Sequence, residues 1–155
     1  MNNLSYNYSG DKMAGDVNIL MVEDNPGHAI LIKKSLRVSG FENDIQHFKD
    51  GQEILEFLFS HHTASDLSLS SYIILLDICM PKTNGIQALK LIKSDEMLRS
   101  IPVIMLTTTD DEKDIALCYK YGCNGYIVKS PGLPNILEEL DAILQVGRVA
   151  EINLN

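Results

Sequence analysis

The sequence lacks an excess of basic residues, and this absence excludes several classes of partner. Of its 155 residues, 13 are Lys or Arg and 21 are Asp or Glu, which gives a net charge of −8. A protein that binds the phosphate backbone of a nucleic acid needs a basic face, and so does one that binds an anionic membrane surface. The charge balance therefore argues against a nucleic-acid partner and against a membrane partner.

Long apolar runs are lacking as well. The longest, over residues 72–76, ends at Asp77, whereas a membrane-spanning helix needs about 20 consecutive apolar residues. Residues 1–15 contain neither a basic start nor an apolar stretch, so they do not resemble a signal peptide. The sequence therefore predicts neither a membrane span nor an exported protein.

Cysteine is scarce, and its spacing suits neither a metal site nor a disulfide framework. The three cysteines are Cys79, Cys118 and Cys123. An odd number without closely spaced pairs favours reduced thiols in a cytoplasmic protein. We interpret Cys118 and Cys123 as small apolar residues in or near the core.

What the sequence does contain is a regular alternation of short apolar runs with segments of helical periodicity. The pattern predicts a flexible tail over 1–16, one domain over 17–148 and a C-terminal tail over 149–155. Strands are predicted over 17–22, 44–48, 73–76, 102–106 and 125–128. Helices are predicted over 26–40, 51–59, 84–94 and 110–121, with a last one ending at Gly147.

Five strands that alternate with five helices indicate a parallel α/β sandwich. In such folds the reactive site lies beyond the carboxyl ends of the strands. Four of the predicted strands are followed there by residues capable of chemistry, namely Glu23 and Asp24, Asp77, Thr107 and Lys129. Each has an ordinary structural explanation by itself, since an acid after a strand often caps a helix and a lysine is usually solvated.

The joint placement of these residues is what points to a function. Carboxylates gathered at one edge of a sheet repel one another, and the repulsion weakens the fold unless something offsets it. A hard divalent cation such as Mg²⁺ does so with oxygen ligands. The sequence therefore predicts a magnesium site formed by Glu23, Asp24 and Asp77.

The motifs around these residues resemble those of receiver domains of two-component response regulators, the CheY-like family. The matching segments are NILMVEDNP, IILLDICMPKTNGIQAL, IPVIMLTTTDD and GCNGYIVKS, and they span nearly all of residues 17–147. The resemblance implies a flavodoxin-like, doubly wound sheet of five parallel strands in the order 2-1-3-4-5. Five helices would complete a three-layer sandwich.

The same resemblance implies a role for each site residue. Asp77 would accept a phosphoryl group from the phosphohistidine of a sensor histidine kinase, in a Mg²⁺-dependent reaction. The expected metal ligands are Glu23, Asp24, Asp77 and, through its backbone carbonyl, Cys79. Thr107 and Lys129 would contact the phosphoryl group. Thr107 and Tyr126 would form the conformational switch.

One position departs from the family pattern. Most receivers follow the lysine with a proline joined by a cis peptide bond, whereas Ser130 follows Lys129 here and Pro131 comes next. A non-proline cis bond costs about 3 kcal/mol, so the sequence leaves the geometry of Lys129–Ser130 open. Together with EDNP and LTT, the Lys-Ser variant resembles receivers that partner phytochrome-type histidine kinases.

The resemblance implies a single-domain response regulator that catalyses only its own phosphorylation and dephosphorylation. Its output would be a contact with a downstream protein, or phosphoryl transfer to another histidine as a phosphorelay intermediate. A homodimer through the face of the fourth helix, fifth strand and fifth helix is a further expectation. None of the four histidines is expected to be catalytic, and His28 is interpreted as a partly exposed helix residue near the acidic edge.

Three competing functions remain open at this point. A haloacid-dehalogenase-like phosphatase also uses a strand-end Asp and Mg²⁺, although Cys79 stands where its second acid is expected. A receiver-like interaction module that is never phosphorylated would not need Asp77 or Lys129. A flavin-binding protein would need a phosphate-cradling loop after the first strand, where this chain has carboxylates.

Overall fold

The computed structural model describes residues 17–61, 72–80, 84–108, 110–129 and 136–143. The predicted terminal tails and the end of the last helix lie outside these residues, as does Ser130. The elements, in chain order, are β1 (Asn18–Val22), α1 (Pro26–Val38), β2 (Ile45–Phe48), α2 (Gly51–His61), β3 (Tyr72–Leu76), α3 (Gly85–Ser94), β4 (Val103–Thr107), α4 (Glu112–Lys120), β5 (Gly125–Val128) and α5 (136–143).

The five strands form one parallel sheet in the order β2-β1-β3-β4-β5. The predicted architecture and strand order are therefore confirmed. In the register of β1 and β3, Val22 pairs with Leu76, so the residues that follow them come out side by side. Parallel strands joined by helices run in the same direction, which collects all the strand ends at one edge.

The central strands are apolar at almost every position because helices cover both faces of the sheet. Along β1, Leu20 and Val22 belong to one core and Ile19 and Met21 to the other. The first core packs against α2, α3 and α4, with buried contributions from Ile54, Leu58, Ala88, Leu89, Ile92 and Cys118. The second core packs against α1 and α5, with Ala29, Ile32, Leu36, Ile136 and Leu140. The result is a three-layer sandwich.

Several element bounds differ from the sequence-based expectation by one or two residues. The second helix continues to His61 rather than ending at Phe59, the first ends at Val38, and β4 includes Thr107. On α4, the helical periodicity of 110–121 predicts Cys118 and Tyr119 on the inner face; Cys118 is fully buried, but Tyr119 is 51 % exposed, so its prediction was wrong. Adjacent helix residues point about 100° apart, and the narrow inner face of this short helix accommodates only one of the two.

No helix among the described residues is both long enough and apolar enough to cross a membrane.

Candidate functional site

The carboxyl edge of the sheet gathers the predicted acidic residues. Glu23 and Asp24 follow β1, and Asp77 follows β3, where its backbone N–H donates to the Val22 carbonyl at 3.2 Å. One carboxylate oxygen from each of the three residues lies within 4.8 Å of the others. Glu23 and Asp77 are buried and Asp24 is exposed, so the cluster forms a pocket with an open side.

Lys129 supplies the positive charge of this pocket. Its Nζ lies 2.5 Å from Glu23 Oε1 and 3.7 Å from Asp77 Oδ2, and its side chain is only 5 % exposed. The backbone N–H of Lys129 donates to the Thr107 carbonyl at 2.8 Å, which holds the residue at the end of β5 beside β4. One ammonium offsets only one of three carboxylate charges, so the pocket retains the negative charge that a divalent cation would neutralise.

Thr107 lies at the end of β4, next to the strand that carries Asp77. It is completely buried, and its Oγ1 has no hydrogen-bond partner among the described residues. A buried hydroxyl without a partner costs about 1–3 kcal/mol. The Thr107 hydroxyl therefore lowers the free energy of unfolding. A hydrogen-bond acceptor that entered beside it would remove this cost.

The turn after Asp77 is tightly packed against the start of α3. Gly85 donates its backbone N–H to the Ile78 carbonyl at 2.9 Å. A Cβ atom at Gly85 would lie 1.9 Å from the Asp77 carbonyl oxygen, a distance that no side chain tolerates. Asn84 caps the helix by accepting from the Gln87 N–H at 2.9 Å. Gly85 was not among the predicted site residues, although its place in the matching segment IILLDICMPKTNGIQAL was the signal that could have identified it.

Cys79 lies on the same turn and is exposed. The pKa of its thiol is raised by partial desolvation first, and then by the carboxylates of Asp77, Asp114 and Asp24. Lys129 acts in the opposite direction. The pKa of the Cys79 thiol therefore depends on the charge of the pocket.

Tyr126 lies on β5, where it pairs with Met105. Its side chain is half-buried and packs against the core that faces α2, α3 and α4. Burial, followed by weaker contributions from Cys118 and Asp114, raises the pKa of its hydroxyl above the ordinary value. Tyr126 therefore lies on the strand next to β4, and β4 is next to the strand that precedes Asp77. Its ring is partly in solvent and partly in the core.

His28 is a second residue that the predicted site omitted. It is partly exposed, as expected, but its Nδ1 also lies 3.1 Å from Lys129 Nζ and 3.7 Å from Glu23 Oε2. Its place in the first turn of the helix that follows Glu23 and Asp24 was the available signal. A second histidine, His47 on β2, has its Nε2 2.8 Å from the Glu23 backbone carbonyl and so helps to fix the end of β1.

The sequence matches the family described as response regulator receiver domain over residues 19–141. Among curated proteins, it is 35 % identical to the probable methanogenesis regulatory protein FilR2 of Methanothrix harundinacea, over 81 % of this chain and 79 % of that protein. It is 31 % identical to the response regulator Rcp1 of Synechocystis sp., over 81 % of this chain and 84 % of that protein.

Solved structures give the same result. A response regulator receiver domain from Rhodospirillum rubrum superposes with a TM-score of 0.73 at 38 % identity, covering 84 % of this chain and 94 % of that one. The phosphorylated cyanobacterial phytochrome response regulator RcpA gives a TM-score of 0.69 at 32 % identity, covering 83 % and 91 %. The Mn²⁺-bound form of Rcp1 gives 0.67 at 30 % identity, covering 82 % and 91 %. The chain therefore belongs to the response regulator receiver domain family.

Proposed function

We propose that this receiver is a phosphoryl-accepting switch and that Asp77 is the acceptor. The observation that carries the proposal is the cluster of three carboxylates at the carboxyl edge of the sheet, two of which, Glu23 and Asp77, lie beside Lys129. An Asp77 carboxylate oxygen would attack the phosphorus of a phosphohistidine. The phosphorus–nitrogen bond breaks, its electron pair stays on the donor histidine, and a mixed anhydride forms on Asp77.

The donor set of the pocket fits Mg²⁺. Glu23, Asp24 and Asp77 offer oxygen atoms only, and the backbone carbonyl of Cys79 is proposed as a further ligand. When bound, Mg²⁺ supplies positive charge that offsets the charge on the transferring phosphoryl oxygens. A related structure, that of Rcp1, was determined in a Mn²⁺-bound form, which supports a divalent-metal site in this chain.

Thr107 and Lys129 would recognise the phosphoryl group once it is attached. The Thr107 hydroxyl lacks a partner among the described residues, and a hydrogen bond to a charged oxygen is worth about 1.5–3 kcal/mol. Lys129 is already 3.7 Å from Asp77 Oδ2, so a small movement would bring it to a phosphoryl oxygen. These two contacts would make the phosphorylated state distinct from the unmodified one.

The proposed switch connects Thr107 to Tyr126. If Thr107 moves toward the phosphoryl group, space opens behind it on β4, and the half-buried ring of Tyr126 on β5 can turn inward. A ligand shifts a conformational equilibrium only by interacting differently with its two states. The new hydrogen bond to Thr107 is that difference.

The partners proposed are a sensor histidine kinase of the phytochrome type and either a downstream protein or a phosphotransfer protein. Two relatives support the first, since RcpA is a cyanobacterial phytochrome response regulator and Rcp1 is a response regulator of similar sequence. The exposed Tyr119 and Val128 support a contact, including a homodimer, through α4, β5 and α5. Free thiols at Cys118 and Cys123 suit a cytoplasmic location.

Labelling by acetyl phosphate tests the proposal. We expect one phosphoryl group per chain, mapped to Asp77, which requires Mg²⁺ and is absent from Asp77→Asn. Asp44→Asn is the matched control, because Asp44 is an exposed acid near the opposite edge of the sheet. Modification of another residue, or equal labelling in the presence of EDTA, would contradict the proposal. Repeated turnover of a phosphate monoester would instead favour the phosphatase alternative.

A further inference from the structure

The ammonium group of Lys129 is held by two acceptors rather than one. Glu23 Oε1 lies at 2.5 Å and His28 Nδ1 at 3.1 Å from Lys129 Nζ. An ammonium has three N–H donors, so these two contacts leave one. Asp77 Oδ2, at 3.7 Å, is the acceptor toward which the remaining donor is available. Two fixed partners therefore orient the third donor.

The position of His28 is determined by the cap of α1. Asn25 is the N-cap residue, and its Oδ1 accepts the backbone N–H of His28 at 3.1 Å. Glu23 Oε2 in turn accepts the backbone N–H of Asn25 at 3.1 Å. Pro26 begins the helix with a fixed backbone angle. Glu23 and His28 thus belong to one locally ordered unit, and both face Lys129 across the pocket.

The contact also defines the chemical state of His28. An ammonium only donates, so His28 Nδ1 must accept. This contact therefore requires the tautomer that carries the ring proton on Nε2. At 3.7 Å from Glu23 Oε2, the same Nδ1 is too distant for a hydrogen bond to that carboxylate.

We propose that His28 is a positioning residue that orients Lys129 toward the group transferred to Asp77, an inference that rests on the proposed phosphorylation of Asp77. It acts through Lys129 and does not itself touch the phosphoryl group. Without His28, the ammonium is held by Glu23 alone and its third donor is no longer directed. Orientation of a charged group at a reacting centre contributes strongly to phosphoryl transfer.

The test compares three substitutions of His28 by their rates of acetyl-phosphate labelling. His28→Leu removes the acceptor and keeps the bulk, and we expect it to slow labelling about tenfold. His28→Asn places an amide oxygen where Nδ1 stands, and it should retain a rate within about twofold of the wild type. His28→Gln places its oxygen at the position of Nε2 and should remain slow. Ile30→Ala is the control, because Ile30 lies on the same helix and is 66 % exposed.

Two further measurements separate positioning from a merely structural role. In a Lys129→Ala background, His28→Leu should have no further effect on the labelling rate, since the two residues act together. Nitrogen-15 NMR of the unphosphorylated protein should show an unprotonated Nδ1 at His28. This signal should change in Lys129→Ala.

The outcomes distinguish the inference from the function on which it rests. Normal labelling of Asp77 with equal rates for wild type and His28→Leu overturns the inference and leaves the proposed function intact. The inference is also overturned if His28→Leu and His28→Asn slow labelling equally, or if His28→Leu slows labelling as much in the Lys129→Ala background as in the wild type. A protonated Nδ1 at His28 would overturn it as well. Absence of Asp77 labelling in the wild type overturns both.

Discussion

The substitution Gly85→Ala tests how the turn that carries Asp77 is held. The added Cβ would lie 1.9 Å from the Asp77 carbonyl oxygen and 2.8 Å from both the Asp77 carbonyl carbon and Ile78 Cα. All three atoms belong to the backbone, and ordinary van der Waals contact begins at 3.4 Å. Either the turn or the start of α3 must move by more than about an ångström, which costs about 3 kcal/mol or more.

Urea unfolding followed by circular dichroism measures this cost. Gly27→Ala is the matched control, because Gly27 also lies in the first turn of a helix. There a Cβ would meet only the Asn25 side chain, at 3.3 Å. Because alanine favours a helix over glycine, the control should be neutral or up to about 1 kcal/mol more stable. Equal stability of the Gly85→Ala and Gly27→Ala variants would refute the close packing of this turn. If Gly85→Ala folds, its Asp77 labelling should also fall, because the acceptor carboxylate is displaced.

Three other predictions follow from buried groups. Thr107→Val should raise the free energy of unfolding of the unphosphorylated protein by about 1 kcal/mol, since it removes a buried hydroxyl that lacks a partner among the described residues; lower stability in urea would count against this. Cys79 should react with a maleimide in the native protein, whereas Cys118 and Cys123 should react only after unfolding. Burial shields these two thiols and raises their pKa to about 12 and about 11, respectively. Peptide mapping that found either buried thiol labelled in the native protein would disprove this prediction. Burial lowers the pKa of Lys93 from 10.5 to about 8, so between these values Lys93 binds more proton in the unfolded chain and its contribution to stability rises with pH. The raised thiol pKa values of Cys118 and Cys123 act in the opposite direction above about pH 9. Lys93→Met should therefore make the slope of stability against pH less positive or more negative in parallel urea titrations, and an identical slope in both proteins would exclude the Lys93 contribution.

Much of the architecture could be predicted from the sequence because its signals are local. Strands covered on both faces appear as uninterrupted apolar runs, as over residues 72–76, and polar residues mark where each one ends. Parallel connection then brings Glu23, Asp24 and Asp77 to one edge, and in the structure the three residues lie together. Neither step requires knowledge of how any side chain is oriented.

The details that sequence could not supply depend on side-chain geometry across distant parts of the chain. The contact of His28 with Lys129 joins residues 101 positions apart and depends on how Asn25 caps α1. The charge of Lys129 was predictable, but its closer approach to Glu23 than to Asp77 was not. Tyr119 was misplaced because helical periodicity alone does not say how wide a buried face is.

The close pairing of Lys129 with Glu23 has a consequence for metal binding. Glu23 Oε1 is 2.5 Å from Lys129 Nζ, while its Oε2 accepts from the Asn25 N–H at 3.1 Å. Both carboxylate oxygens of Glu23 are thus engaged. The exposed Asp24 is the carboxylate freest to approach an ion from solvent, so we expect it to contribute most directly to metal affinity.

The central claim is that the carboxylates at this edge form one divalent-metal site. An NMR titration with Mg²⁺, run on the wild type and on Asp24→Ala, tests it most directly. We expect saturable changes in the backbone signals around Glu23, Asp24 and Asp77, with a much weaker response in the variant. No change on adding Mg²⁺, or the same affinity in both proteins, would contradict it.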